Sequence, residues 1–362
     1  MSPYEALPKR NFWRTGVALE HPLLINDLYE KKFSIHPSAK IATAGSCFAQ
    51  HIGRYLANNG FNVIDHEPSP PGLDEATAVR FGYRLYSARY GNIYSIRQFK
   101  QLLMEAVGDF EPSDIVWQKG DRFIDALRPS VEPDGLSSAE EVLFHRKSHL
   151  KMVRSLLREV DLLVFTFGLT EAWIHTESGT VFPTAPGTIA GVFDATRYSH
   201  KVFSYNEILS DFLEVKTIVE QFNSEAKFIL TVSPVPLTAT ACPSHVLVAT
   251  TNAKSTLRAV VGQLANDHAN VDYFPSYELI ATPFSRGFFY ESNLREVSSA
   301  GVEVVMRSFF REHGGIGSMG SPENATPRAN ADMPHGNGKP LRKRAAQTNV
   351  VCEDILLEAF SR

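Results

Sequence analysis

The feature that most constrains this chain is an alternation of two kinds of segment. Short apolar runs bounded by glycine or proline alternate with longer amphipathic runs. Residues 39–44 (AKIATA) end at Gly45, residues 161–167 (DLLVFTF) end at Gly168, and residues 227–235 (KFILTVSPV) stop at prolines. Residues 61–64 (FNVI) and 271–274 read as two further strands. Between them, residues 47–59, 95–107, 139–160, 205–222, 249–268 and 297–313 carry helical spacing. In the first of these, Phe48, Ile52, Tyr55 and Leu56 share one face, and Gly60 supplies a stop. Strands that are apolar throughout are buried on both faces, and strands alternating with helices build a mostly parallel sheet. Ligands of such sheets bind beyond the carboxyl ends of the strands. The loops to inspect are therefore 45–48, 168–173 and 233–245, and whatever follows residue 274.

Composition narrows the function classes. The 362 residues suffice to bury a substantial core. Against 36 Lys and Arg stand 40 Asp and Glu, so no basic excess points to nucleic acid. The three cysteines, Cys47, Cys242 and Cys352, are too few and too odd in number for a disulfide framework, which predicts a reducing compartment. They form no CxxC pair and are too few for a structural zinc site unless His completes it, so no metal site is expected. No apolar run is long enough for a signal peptide or a membrane span, and the expected location is cytoplasmic. GxxxxGK[ST] does not occur, so nucleotide phosphate has no P-loop support. Residues 1–313 read as one domain with an N-terminal extension. Residues 314–350 are rich in Gly, Pro, Asn and Ser and read as a flexible tail, and residues 351–362 as a short docking helix.

The sharpest local chemistry is A-G-S-C-F-A at residues 44–49, where a strand turns into a helix. A helix start offers free N–H groups and a positive dipole end, which lower a thiol's pKa and stabilise an oxyanion. Cys47 is a candidate nucleophile there. The competing reading is ordinary helix capping by Ser46 and packing by a small thiol. Elsewhere, His145 and His149 stand four apart on a helix and read as a solvated face. Trp117 and Trp173 read as core or rim aromatics, and residues 182–191 as a flap or a surface connection. Cys242 and Cys352 lack a nucleophile's setting.

Several motifs occur together: GSCFA at 45–49, GNIY at 91–94, FGLTEAW at 167–173, TVSPVP at 231–236, DYFPSYE at 272–278, and a closing pattern over 295–310. In this set and order the chain resembles the GSCFA family, within the SGNH/GDSL hydrolase-like superfamily, from Ala42 to about Phe310. The resemblance implies a three-layer αβα flavodoxin-like fold with a five-stranded parallel core. It places Cys47 at the nucleophile position and leaves Ser46 as a cap or secondary contact. Oxyanion or substrate contacts fall to the Cys47 amide, to Gly91 with Asn92, and to Gly168 with Thr170, where Thr170 stands in place of an Asn. Glu171 follows as a carboxylate to orient a base or bind substrate. The DxxH pair of such enzymes is replaced by Asn293 and Glu296, so the base is sought among Glu296, His245 and His51. The implied function is hydrolysis or acyl transfer on an ester or thioester, on a glycan or polysaccharide precursor. Acyl-CoA would be a co-substrate, with no other cofactor. The alternative is a degenerate member that binds an acyl or glycan group.

Overall fold

The computed structural model describes residues 2–314 and 353–360. Its centre is a four-stranded parallel sheet of β1 (Ile41–Gly45), β4 (Leu162–Phe167), β8 (Lys227–Val232) and β9 (Val271–Tyr273), in the order β1-β4-β8-β9. Gly45 lies opposite Thr166, and Phe167 opposite Val232. The carboxyl ends of β1, β4 and β8 are therefore aligned at one edge.

Residues alternate across a strand, so two sets of apolar side chains form two cores. Ala42, Ala44, Leu163, Phe165, Phe167, Phe228, Leu230 and Val232 face one way. They meet Phe99 and Leu103 of α3 (Ile96–Val107), Leu156 of α4 (Ala139–Leu157), Phe212 of α5 (Tyr205–Phe222) and Leu257 and Val261 of α6 (Val246–Asp267). Ile41, Leu162, Val164 and Ile229 face the other way. They meet Phe48, Ile52 and Leu56 at α1 (Ala49–Asn58), Leu279 and Ile280 of α7 (Ser276–Ala281), and Val305 and Phe309 of α8 (Ser299–His313). The N-terminal extension joins this second core through Ile25 and Tyr29, and the Tyr29 hydroxyl donates to Asp272 Oδ2 at 2.8 Å. A short α2 (Glu75–Arg80) lies on the path between β1 and α3.

Helix starts follow the local sequence. Ser95, Ser138, Ser204 and Ser298 each accept a bond from a backbone N–H of the first turn. Ser204 and Glu207 form a complete capping box. The α3 helix stops at Gly108, whose φ of 97° suits glycine.

Two smaller sheets extend the body. β2 (Val116–Lys119) and β3 (Arg122–Asp125) form an antiparallel hairpin. β5 (Glu171–His175) pairs with β6 (Val181–Phe182) on one side and β7 (Tyr198–Val202) on the other. Trp117, Phe182, Ala190 and Tyr198 share a third, small core. Residues 182–191 are thereby pinned: Gly191 N donates to Gln118 O at 2.9 Å, and Trp117 stacks on Phe182.

Two expectations need correction. The sheet has four strands rather than five, because residues 61–64 contribute only an isolated bridge between Val63 and Ile41. The outer edge of β1 is shared among irregular segments instead: Val63 at Ile41, Ser87 at Thr43 and Ile93 at Gly45. Pro68, Pro70 and Pro71 follow closely and have no N–H to continue a ladder. His149 is not solvated but wholly buried, with Nδ1 2.6 Å from Glu67 Oε2. Burial, then nearby Arg128, lowers its pKa to about 4. The tail expected over 314–350 lies outside the described residues, apart from Gly314. Residues Glu353–Phe360 form a short 3₁₀ helix.

Candidate functional site

The site is built where β1 hands the chain to α1. Gly45 takes φ 133°, and a Cβ there would meet the Thr166 carbonyl at 2.4 Å, so the turn admits glycine alone. Ser46 and Cys47 follow, both buried. Ser46 N donates to Thr166 O at 3.2 Å, and its own carbonyl accepts from Ala49 N at 2.8 Å, which starts the helix. The Ser46 side chain does not cap that helix: Oγ has no hydrogen-bond partner among the described residues. Cys47 is in no disulfide.

A polar cluster surrounds this turn inside the apolar core. The Tyr86 hydroxyl lies 3.2 Å from Ser46 O and 2.5 Å from Asn92 Oδ1. Gln50, one helical turn beyond Cys47 and fully buried, donates through Nε2 to Asn92 Oδ1 at 3.0 Å. From the β4 side, Gly168 packs so closely that a Cβ would lie 2.9 Å from Ser46 Cβ and 2.9 Å from Tyr94 O. The Gly168 carbonyl accepts from Lys254 Nζ at 2.8 Å, and Lys254, on α6, is only 2 % exposed. Thr166 Oγ1 is a second buried hydroxyl lacking a partner among the described residues. Each such orphan costs about 1–3 kcal/mol unless a ligand or water meets it.

The expected residues divide into two groups. Cys47, Ser46, Asn92 and Gly168 come together, and Asn92 rather than Gly91 reaches the turn. Gly91 adopts φ 69° and its open side faces Ser130 and Arg128. Thr170 is buried, and its carbonyl accepts from Phe203 N at 2.7 Å. The proposed proton acceptors do not join them. His245 is exposed and caps α6, its Nδ1 accepting from Leu247 N at 3.2 Å. Glu296 is exposed in a turn held by Asn293 Oδ1, which accepts from Glu296 N and Arg295 N at 3.0 Å each. His51 is half-buried against Phe48, and burial, then Arg54, lowers its pKa to about 4, leaving a neutral imidazole.

Glu171 turns away into a different group. Its Oε1 lies 3.5 Å from His200 Nε2, and its Oε2 accepts from Thr240 Oγ1 at 3.0 Å and lies 4.0 Å from Cys242 Sγ. Together with Trp173, Thr184 and Leu237 it lines an open cleft of about 210 Å³. Leu357 of the C-terminal 3₁₀ helix closes one side.

Sequence reading missed Gln50, Tyr86, Lys254 and His200. Lys254 left a signal: it interrupts the apolar stripe of α6 that continues through Leu257, Val261 and Leu264. Tyr86 and His200 left none, because only the fold brings them near their partners.

The GSCFA family model matches residues 40–309, from just before β1 into the last part of α8. The chain belongs to the GSCFA family. No curated protein matches it. The motif that names the family is thus the β1–α1 turn itself: Gly45 for its backbone, Ser46 and Cys47 for their buried side chains, Phe48 and Ala49 for the core. Among the described residues, no helix is long and apolar enough to cross a membrane.

Proposed function

We propose that this GSCFA protein is an acyl-transfer enzyme of SGNH-like descent, with Cys47 as nucleophile. Its substrate would be an ester or thioester, with a glycan or polysaccharide precursor as acyl carrier or acceptor and acyl-CoA as a donor. A reducing, cytoplasmic setting would keep the thiol active.

The observation that carries this reading is the pairing of a thiol with an unsatisfied hydroxyl, Ser46 Oγ, in a buried polar cluster. That cluster sits at the carboxyl edge of a parallel sheet, where ligands of such sheets bind. Buried polar groups of this kind cost folding free energy, and a bound substrate would offset the cost. In the first step the Cys47 sulfur would attack the acyl carbonyl. A carbon–sulfur bond forms, the bond to the leaving alkoxide or thiolate breaks, and the thiol's proton passes to that leaving group. In the second step an acceptor hydroxyl, or water, takes the acyl group and returns a proton to Cys47. The Lys254 ammonium, held at the Gly168 carbonyl, would favour the negative charge developing in both steps.

A second reading is favoured by one observation. His245 and Glu296 are exposed and occupied as cap and turn, so the fold could bind an acyl or glycan group without turning it over. The deciding experiment incubates the full chain with acyl-CoA donors and p-nitrophenyl esters, following turnover and intact mass. Acyl transfer predicts a covalent adduct on Cys47, and Cys47→Ala should lower turnover by about two to three orders of magnitude. Wild type with neither turnover nor adduct would leave the binding reading standing. An unchanged rate in Cys47→Ala would remove Cys47 from the chemistry.

A further inference from the structure

We propose a divalent-metal site, suited to zinc, formed by Glu171, His200 and Cys242 at the open cleft beside β5. It uses residues outside the Cys47 cluster and does not depend on the acyl-transfer reading.

The antiparallel register creates half of it. Glu171 and Trp173 stand two apart on β5 and share a face, and Trp173 lies directly across from His200 on β7. The Trp173 ring packs edge-on to the His200 imidazole with centroids 5.5 Å apart, which fixes that ring beside the carboxylate. The loop after β8 brings the third group. Cys242 Sγ lies 3.9 Å from His200 Nδ1 and 4.0 Å from Glu171 Oε2. One ligand atom from each residue falls within 4.8 Å of the others. The edges of a tetrahedral zinc site with sulfur, nitrogen and oxygen ligands are about 3.3–3.6 Å. Cys242 approaches Nδ1 and Glu171 Oε1 approaches Nε2 of the same ring, so with either nitrogen as ligand one edge must shorten, by up to about 1.4 Å, to close the three groups on one ion.

Charge separates a metal site from a thiol–imidazole–carboxylate relay. In a relay the carboxylate stands behind the imidazole, away from sulfur. Glu171 does place Oε1 3.5 Å from Nε2, the ring nitrogen away from Cys242, but its Oε2 also lies 4.0 Å from Cys242 Sγ, so a Cys242 thiolate would face a carboxylate and be repelled by it. A cation at the centre removes that repulsion and takes up both charges. Thr240 supplies a supporting shell: its hydroxyl donates to Glu171 Oε2 at 3.0 Å and accepts from Cys242 N at 3.1 Å. With three protein ligands, a fourth position remains toward the cleft of about 210 Å³, where water or a substrate oxygen would bind. Thiolate, imidazole and carboxylate together suit a borderline-soft ion better than magnesium or calcium.

The test titrates the full-length, metal-stripped protein with cobalt(II). One equivalent should give a thiolate-to-cobalt charge-transfer band that zinc abolishes by competition. Cys242→Ser should remove the band, and His200→Gln should weaken cobalt binding at least about tenfold. Absence of the band, or its persistence in Cys242→Ser, overturns the proposal. A measurement on wild type guards against variants that misfold: iodoacetamide labelling of Cys242, read by peptide mass. Zinc should slow it at least about tenfold relative to chelator. Equal rates with and without zinc would also overturn the site.

Discussion

At the scale of single residues, this protein is decided by close approaches around one turn. Gly168 has no side chain because Ser46 Cβ and the Tyr94 carbonyl already occupy the space a Cβ would take. Backbone cannot yield as the end of a flexible side chain can. Gly168→Ala should therefore lower stability by about 1–3 kcal/mol, measured by urea unfolding. Because the displaced partner is Ser46, the same variant should change the alkylation rate of Cys47. A Gly168→Ala protein with wild-type stability and wild-type Cys47 labelling would refute the packing argument. Much of this turn was legible in the sequence. Gly45, Ser46 and Cys47 stand where a short apolar strand meets a helical period, and that spacing is local. Where the candidate bases fall was not legible. His245 and Glu296 occupy plausible positions along the chain, yet one serves as a helix cap and the other sits in an exposed turn.

At the scale of elements, α3 and α5 are locked together by charge beneath their apolar contact. Asp211 of α5 is buried and accepts from Arg97 Nε at 2.6 Å, with Lys100 Nζ at 2.8 Å, both from α3. Removing the carboxylate would leave two cations facing each other in a half-buried seam. Asp211→Ala should therefore cost about 3–5 kcal/mol, read as a fall in the urea midpoint. Replacing Lys100, which also reaches Glu214, should cost less. A loss below about 1 kcal/mol for Asp211→Ala would show the pair to be dispensable. The helices themselves were well marked in sequence: α3 and α5 begin at serines and carry clear apolar periods. The strands were less so. Residues 61–64 look like a strand, but pairing needs a free edge, and the edge of β1 is taken up piecemeal by three irregular segments. The β5–β7 sheet was missed for the converse reason, because its strands are half-buried and mixed in composition.

At the scale of the whole molecule, one buried and two half-buried histidines tie stability to pH. His51 lies in α1, His149 in α4 and His313 at the end of α8, where its Nε2 meets the Tyr29 hydroxyl at 2.8 Å. Burial lowers each pKa from its ordinary 6.5 to about 4. The unfolded chain therefore takes up protons before the folded one. The stabilisation is complete above pH 6.5 and is lost progressively as pH falls toward 4. Each histidine contributes on the order of 2 kcal/mol to this loss. Asp125, despite its burial, is held down to about 2 by Arg146 and Arg128, so its own loss comes only in stronger acid. Urea midpoints should therefore fall steadily between pH 6.5 and 4, and His149→Gln should flatten that slope. A midpoint independent of pH over this range would contradict the neutral imidazoles.

The same scale separates what each source of information determined. The sequence alone settled the alternation of strands and helices, hence a parallel sheet covered by helices, and the strand-turn-helix corner at Cys47. These are consequences of period and of glycine placement, which act over a few residues. Tertiary structure decided which polar groups meet. Gln50, Asn92 and Lys254 gather around Ser46 from α1, the loop before α3, and α6. Glu171, His200 and Cys242 gather from two strands and a loop. Such meetings depend on strand order, on antiparallel register and on how each loop returns to the sheet, none of which any local period encodes.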